Sequence, residues 1–200
     1  MSISLQKGQR IDLTKGNAGL SKIMVGLGWD PIETKRGGIL GGLLGAGAPD
    51  IDCDASVLML EDDKFMNKKN LIYFGNLNSS CRSIKHTGDN LTGEGDGDDE
   101  QILIDLQSVP SNINKLVFVV NIYDCVRRKQ DFGMIENAFI RVVNNSNNQE
   151  IVKFNLTDNF SGKTTLIVSD IYRHGSEWKF AAIGNATNDS GLEDIVRCYT

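Results

Sequence analysis

Apolar positions in this chain come in short blocks separated by glycine, asparagine and aspartate, and no long stretch keeps a 3.6-residue period. The blocks are IMVGLGW (23–29), ASVLML (55–60), LIYF (71–74), QILIDL (101–106), KLVFVVNIY (115–123), AFIRVV (138–143), IVKFNL (151–156), TTLIVSDIYR (164–173) and WKFAAIG (178–184). Each reads as a strand, because Val, Ile, Phe and Tyr pack well on a pleated surface and the polar borders supply turns. LVFVV is apolar at consecutive positions, as in a strand covered on both faces, whereas EIVKFNL alternates, as in one with a wet face. NNSNNQE (144–150) has the composition of a hairpin loop. The best helix pattern is SGLEDIVRCY (190–199), with a serine N-cap, acids in the first turn, and Leu192, Ile195, Val196 and Tyr199 at helical spacing. The pattern predicts an all-β fold: a β-sandwich of two mostly antiparallel sheets with short peripheral helices, the last helix docked on the sheet end.

Two hundred residues at 40% hydrophobic composition suffice for one sizeable core, so a single domain is expected. ETKRGGILGGLLGAGAPD (33–50) interrupts the strand pattern with glycines too dense for helix or strand, and reads as an inserted loop. Its apolar part falls short of the ~20 residues that a bilayer span needs. The N-terminal MSISLQKGQRIDLTKG lacks the apolar core of a secretion signal, which points to a cytoplasmic location. Four cysteines lie far apart with no CxxC or zinc-ligand spacing, and read as reduced, mostly buried thiols. A net charge of −5, with Arg127, Arg128 and Lys129 as the main basic cluster, argues against nucleic acid as a partner.

HTGDNLTGEGDGDDEQILIDL (86–106) changes this picture. Between Asp89 and Glu100 it holds six carboxylates, no lysine or arginine, and glycines at 93, 95 and 97. That is more negative charge than the net balance of the whole chain. Two like charges ~4 Å apart repel by about 1 kcal/mol in water and about 4 kcal/mol at an effective dielectric of about 20, so compacting the loop calls for a counter-ion. Oxygen donors without His or Cys suit a hard cation. Ca²⁺, taking about six to eight oxygens in flexible geometry, fits a glycine-rich loop better than octahedral Mg²⁺. A solvated acidic loop is the alternative. The stretch is not an EF-hand: counted from Asn90, the twelfth position is Gln101 where a bidentate Glu belongs. Neither GK[ST] nor GxGxxG spacing is present, and so anionic a loop would repel phosphate.

The same stretch resembles the signature of the TerD family, the tellurium-resistance and general-stress proteins of bacteria. ISLQKGQRIDLTK, LSKIMVGLGWDP, DIDCDASVLML, QDFGMIENAFIRVVN and DIYRHGSEWKFAAIG agree with that family in order along nearly the whole chain. The resemblance implies one TerD-like domain over residues 1–200, with a glycine-rich insertion at about 33–50, and calcium, one or two ions, at the acidic loop. On the matching motif, Asp89, Asp98 and Glu100 are expected as the first side-chain ligands, then Asn90, Thr92, Asp96 and Asp99, with carbonyls of Gly93 or Gly95 completing the shell. Glu94 is expected to face solvent. DIDCD matches a family stretch usually written Asp-Leu-Asp. Strand alternation puts Asp52 and Asp54 on one face. They are either solvated acids of an edge strand or, with Asp30, a second wall of the metal site. The insertion is longer and more apolar than the family pattern, and the C-terminal NATNDSGLEDIVRCYT also departs from it.

The expected function is that of a calcium-binding, non-catalytic stress-response protein of the tellurite-resistance type, acting through calcium-ordered protein–protein assembly. Expected partners are other stress-response or tellurite-resistance proteins, or a membrane-associated complex, with self-association also open. Two alternatives come from other classes: a binding module for cyclic AMP-like nucleotides, since the family includes slime-mould proteins described as cyclic-nucleotide binders, and a metal-dependent phosphoester enzyme. His86 and His174 read as structural histidines, and Trp29 and Trp178 as packing residues.

Overall fold

The apolar blocks pair into two six-stranded sheets in a computed structural model that describes residues 2–32, 51–88 and 97–200. The strands are β1 (Ile3–Leu5), β2 (Arg10–Asp12), β3 (Lys22–Pro31), β4 (Cys53–Leu60), β5 (Leu71–Ile72), β6 (Ile84–His86), β7 (Glu100–Asp105), β8 (Lys115–Ile122), β9 (Ile135–Asn144), β10 (Gln149–Asn155), β11 (Thr165–His174) and β12 (Glu177–Thr187). Among the described residues two short α-helices, α1 (Cys125–Arg128) and α2 (Leu192–Arg197), accompany them. The first sheet runs β1-β10-β9-β3-β7-β6 and the second β2-β12-β11-β8-β4-β5. Only β1 on β10 is parallel among these pairings. The all-β sandwich expected from the sequence is what the chain forms.

The two sheets face each other through Ile23, Val25 and Leu27 of β3, Val57 and Met59 of β4, Ile102 and Ile104 of β7, and Phe118 and Phe180 of the second sheet. Trp29 and Trp178 are buried in this core as well. β8, apolar at consecutive positions, lies between β4 and β11 and is covered on both faces. Its second face carries Val117 and Val119, which join Leu58 and Leu60 of β4 in a smaller apolar layer. Ile195 of α2 closes that layer, with Leu192 and Val196 packed beside it. The helix therefore docks over the outer face of the second sheet, not on its end as expected, because the doubly apolar strands β4 and β8 need a cover there. The cysteines also divide differently from expectation: all four are free, Cys53 and Cys125 buried, Cys81 and Cys198 exposed.

Asp170 is an acid in an apolar neighbourhood. It pairs across the sheet with Val117, so its side chain shares the outer face of the second sheet. Burial pushes its carboxyl from 3.8 up to about 6; Lys115 and Arg10 oppose the rise and Asp63 adds to it. The folded carboxyl holds its proton more tightly than the unfolded one. The stability linked to it is therefore full below about pH 4 and is lost as pH rises through about 6. Asp170→Asn is accordingly expected to be more stable than the parent by about 1–2 kcal/mol near pH 7.5, less than the whole shift because the group is only partly enclosed. The two proteins should converge near pH 4. Paired urea titrations at several pH values check this.

Candidate metal centre at one end of the sandwich

β3 and β8 end, and β4 and β7 begin, at the same end of the sandwich, where Asp30, Asp52, Asp54 and residues 97–100 collect. Two glycines of β3 make the bed for this end of the acidic motif. Gly26 lies opposite Gln101 of β7 and Arg141 of β9, and Asp98 lies directly over it. A Cβ on Gly26 would stand 2.3 Å from the Asp98 carboxyl, and one on Gly28 would stand 2.6 Å from the carbonyl of Gly97. The chain can cross β3 here only because those side chains are missing.

Asp98 is locked in place. Its side chain is fully buried, and Arg141 grips both oxygens, Nε to Oδ1 at 2.7 Å and Nη2 to Oδ2 at 2.9 Å. Gln101 Nε2 donates to Oδ2 at 3.2 Å, and the free arm of Arg141 reaches Glu150 at 3.2 Å. The guanidinium is held even more firmly protonated than usual by its hydrogen bonds to Asp98.

Asp99 turns to the other side. Its backbone N–H donates to Leu27 and its Oδ2 accepts from Trp29 N–H, each at 2.8 Å, where β3 bulges against β9. Burial raises its carboxyl above the usual range; the Trp29 N–H pulls the other way, and the charges of Asp30 and Asp98 add to the rise.

Glu100 points into the sandwich with Ile102 and Ile104. It crosses to the second sheet, where its Oε2 accepts from Ala55 N–H at 2.5 Å. His86 arrives from β6 beside it, with Nε2 at 3.2 Å from the Ala55 carbonyl and 3.5 Å from Glu100 Oε2. Gly88 N–H donates to His86 Nδ1 at 3.2 Å, which assigns the Nε2–H tautomer. Since β5 pairs only with Val57 and Leu58, these two side chains do for Ala55 what a neighbouring strand would. The structural reading of His86 agrees with this geometry.

Asp52 and Asp54 are buried, not solvated, at 6% and 3% exposure. Arg128 Nη1 lies 3.5 Å from Asp52, and Asn121 Nδ2 lies 3.5 Å from Asp54. Asp30 accepts from Asn137 Nδ2 at 2.8 Å. Cys53 sits among these acids. Its thiol is pushed well above the ordinary value, first by burial, then by the charges of Asp54, Glu100, Asp52 and Asp99. A thiol held protonated in this way is a poor soft-metal ligand. Among the described residues, no three His, Cys, Asp or Glu side chains are close enough together to hold an ion by themselves. Asp89, Asn90, Thr92, Gly93, Glu94, Gly95 and Asp96 lie outside the described residues, as does the insertion at 33–50. Sequence reasoning missed Arg141, Arg128 and Asn121, each from an element remote from the motif it serves.

The sequence pattern of the TerD domain matches residues 1–199. The chain is 71% identical, over the whole of both chains, to stress response protein SCP2 of Bacillus subtilis (strain 168). It is 42% identical to tellurium resistance protein TerD of Serratia marcescens, covering all of this chain and 97% of the relative. The crystal structure of a homologue of telluride resistance protein from Streptomyces coelicolor A3(2) has the same fold, with a TM-score of 0.62 at 20% identity over 86% of this chain and 92% of that one.

Proposed function

The chain belongs to the TerD family, and from that premise we propose that it is a cytoplasmic, calcium-binding stress-response protein of the tellurite-resistance type with no catalysis of its own. Calcium orders the acidic segment, and the ordered segment presents a surface to other stress-response or tellurite-resistance proteins, alone or in a membrane-associated complex.

The observation that carries this reading is the collection of carboxylates at one end of the sandwich, where burial and the charges of Asp30 and Asp98 already raise Asp99. The donors there are oxygens and the one thiol among them is held protonated, a set that fits a hard cation. Asp99 would hold the ion, with Asp30, Asp52 and Asp54 as a second wall. Asp89, Asn90, Thr92, Asp96 and carbonyls of Gly93 or Gly95 would complete the shell. Asp98 and Glu100, expected from the resemblance among the first ligands, are engaged by Arg141 and the Ala55 amide, and in this reading they fix the end of the motif and would add their charge to the field. The ion would neutralise this charge and let the segment compact.

Ca²⁺ at about 100 times its dissociation constant should add about 2.7 kcal/mol of stability. For a chain of this size that is a rise in melting temperature of roughly 5–10 °C. Equal Mg²⁺ should give much less, and Asp96→Asn with Asp99→Asn should remove most of the rise. A calcium response no larger than that to Mg²⁺ would sink the reading. The same titrations with cyclic AMP and with a phosphodiester separate the alternatives: binding without turnover indicates a nucleotide module, and turnover an enzyme.

A further inference from the structure

A second site opens on the other side of β4, away from the sandwich core. Where the cover of α2 over the outer apolar layer stops, a cavity of ≈ 920 Å³ remains between the helix, β5 and the outer face of β4 and β8. One wall is aromatic: Tyr73 and Phe74 meet edge to face at 5.2 Å, and Phe74 meets Tyr123 in the same manner at 6.1 Å. Phe74 and Tyr123 are 40% and 44% exposed, unusual for rings of this size on a surface already folded. The lining carries four carboxylates, Asp54, Asp124, Glu193 and Asp194, with Lys68 and Arg197; Asp124 is paired with Arg127 and Asp194 with Arg197, which leaves Glu193 as the exposed acid of the helix wall.

Asn121 on the floor supplies an independent pointer to a ligand. It is 6% exposed, and its Oδ1 has no hydrogen-bond partner among the described residues. Its Nδ2 faces the Asp54 carboxylate, which fixes the amide orientation and leaves the carbonyl oxygen as the group seeking a donor. A buried acceptor in that condition is costly, and a small turn of the terminal amide brings it to a donor entering the cavity. The ring of Tyr123 already takes a cation, the Arg128 guanidinium, at 5.2 Å.

We infer that this cavity binds a small organic cation with an N–H donor, a protonated primary amine carrying an apolar body. The ammonium donates to Asn121 Oδ1 within the field of Glu193, and the body lies against Phe74 and Tyr123. A neutral donor such as an alcohol can answer Asn121 but gains nothing from the carboxylate charge; a quaternary ammonium has no proton to give.

Phenethylammonium titrated into the calcium-loaded full chain, followed by calorimetry and amide NMR, tests this. The expected result is a dissociation constant near or below about 1 mM, with 2-phenylethanol and tetramethylammonium each binding about tenfold or more weakly. Asn121→Leu and Tyr123→Ala should each weaken the amine about fivefold or more while the melting temperature shows them folded; the exposed ring of Tyr123 keeps the test open if Asn121→Leu fails to fold. Equal binding of the alcohol, no binding up to about 10 mM, or unchanged affinity in both variants overturns the inference. So does competition between the amine and calcium, which would assign these acceptors to the ion site.

Discussion

Arg141→Ala is expected to destabilise the protein by about 3–5 kcal/mol, the range for removing one partner of a buried ion pair. The reason lies in Asp98, whose side chain is fully buried and whose two oxygens both rest on the guanidinium. Without Arg141 the buried carboxylate loses its partner, and residues 97–99 are drawn off the bed that Gly26 provides. Arg141→Lys keeps the charge but loses the two-pronged grip, and should cost about 1–2 kcal/mol. Asp98→Asn in the Arg141→Ala background should recover a large part of the loss, because the buried charge is then gone. Urea unfolding of the single and double variants measures the coupling directly. Additive costs would show that the pair is not the fastener of this segment.

Glu100→Ala is expected to cost about 2–4 kcal/mol by leaving the Ala55 N–H without its acceptor in the interior. It also opens space beside His86. Glu100→Gln retains an acceptor oxygen but loses the charge, and about 1 kcal/mol is the expected penalty. The local readout is hydrogen exchange at the Ala55 amide. It should accelerate much more than that of Val57, which lies where β5 still covers β4. Equal protection at both amides in Glu100→Ala would remove the carboxylate from its role as a substitute strand.

The long strands were legible because their length carries a pattern. β3, β4 and β7 to β12 each repeat the apolar signal over several residues, and the sheet core is built from those residues. β1, β2 and β6 are three residues each, too short for any period to show, and exist because β10, β12 and β7 present backbone to them. α1 spans only Cys125–Arg128 and escapes a helical pattern for the same reason. At the site, the acidic motif named Asp98, Asp99 and Glu100, but not what they touch. Arg141 lies 43 residues after Asp98 and Ala55 lies 45 before Glu100, and only sheet pairing brings them together. Two signals are present in the sequence itself. VGLGW puts two glycines on one face of a strand, a sign that other backbone passes close by, and AFIRVV sets a single base in an otherwise apolar strand, a sign of a buried acid to meet it.

The strands at the four sheet margins, β1 and β6 in one sheet and β2 and β5 in the other, are only two or three residues long. A long bare margin invites another polypeptide to add itself by main-chain hydrogen bonding, the route to domain exchange and to fibres. These margin strands are too short to serve as such a template themselves, and where Ala55 lies beyond the reach of β5, Glu100 and His86 have already taken its amide and carbonyl. Assembly through side chains on the faces and loops can therefore be tuned by surface substitution without disturbing a hydrogen-bonded ladder.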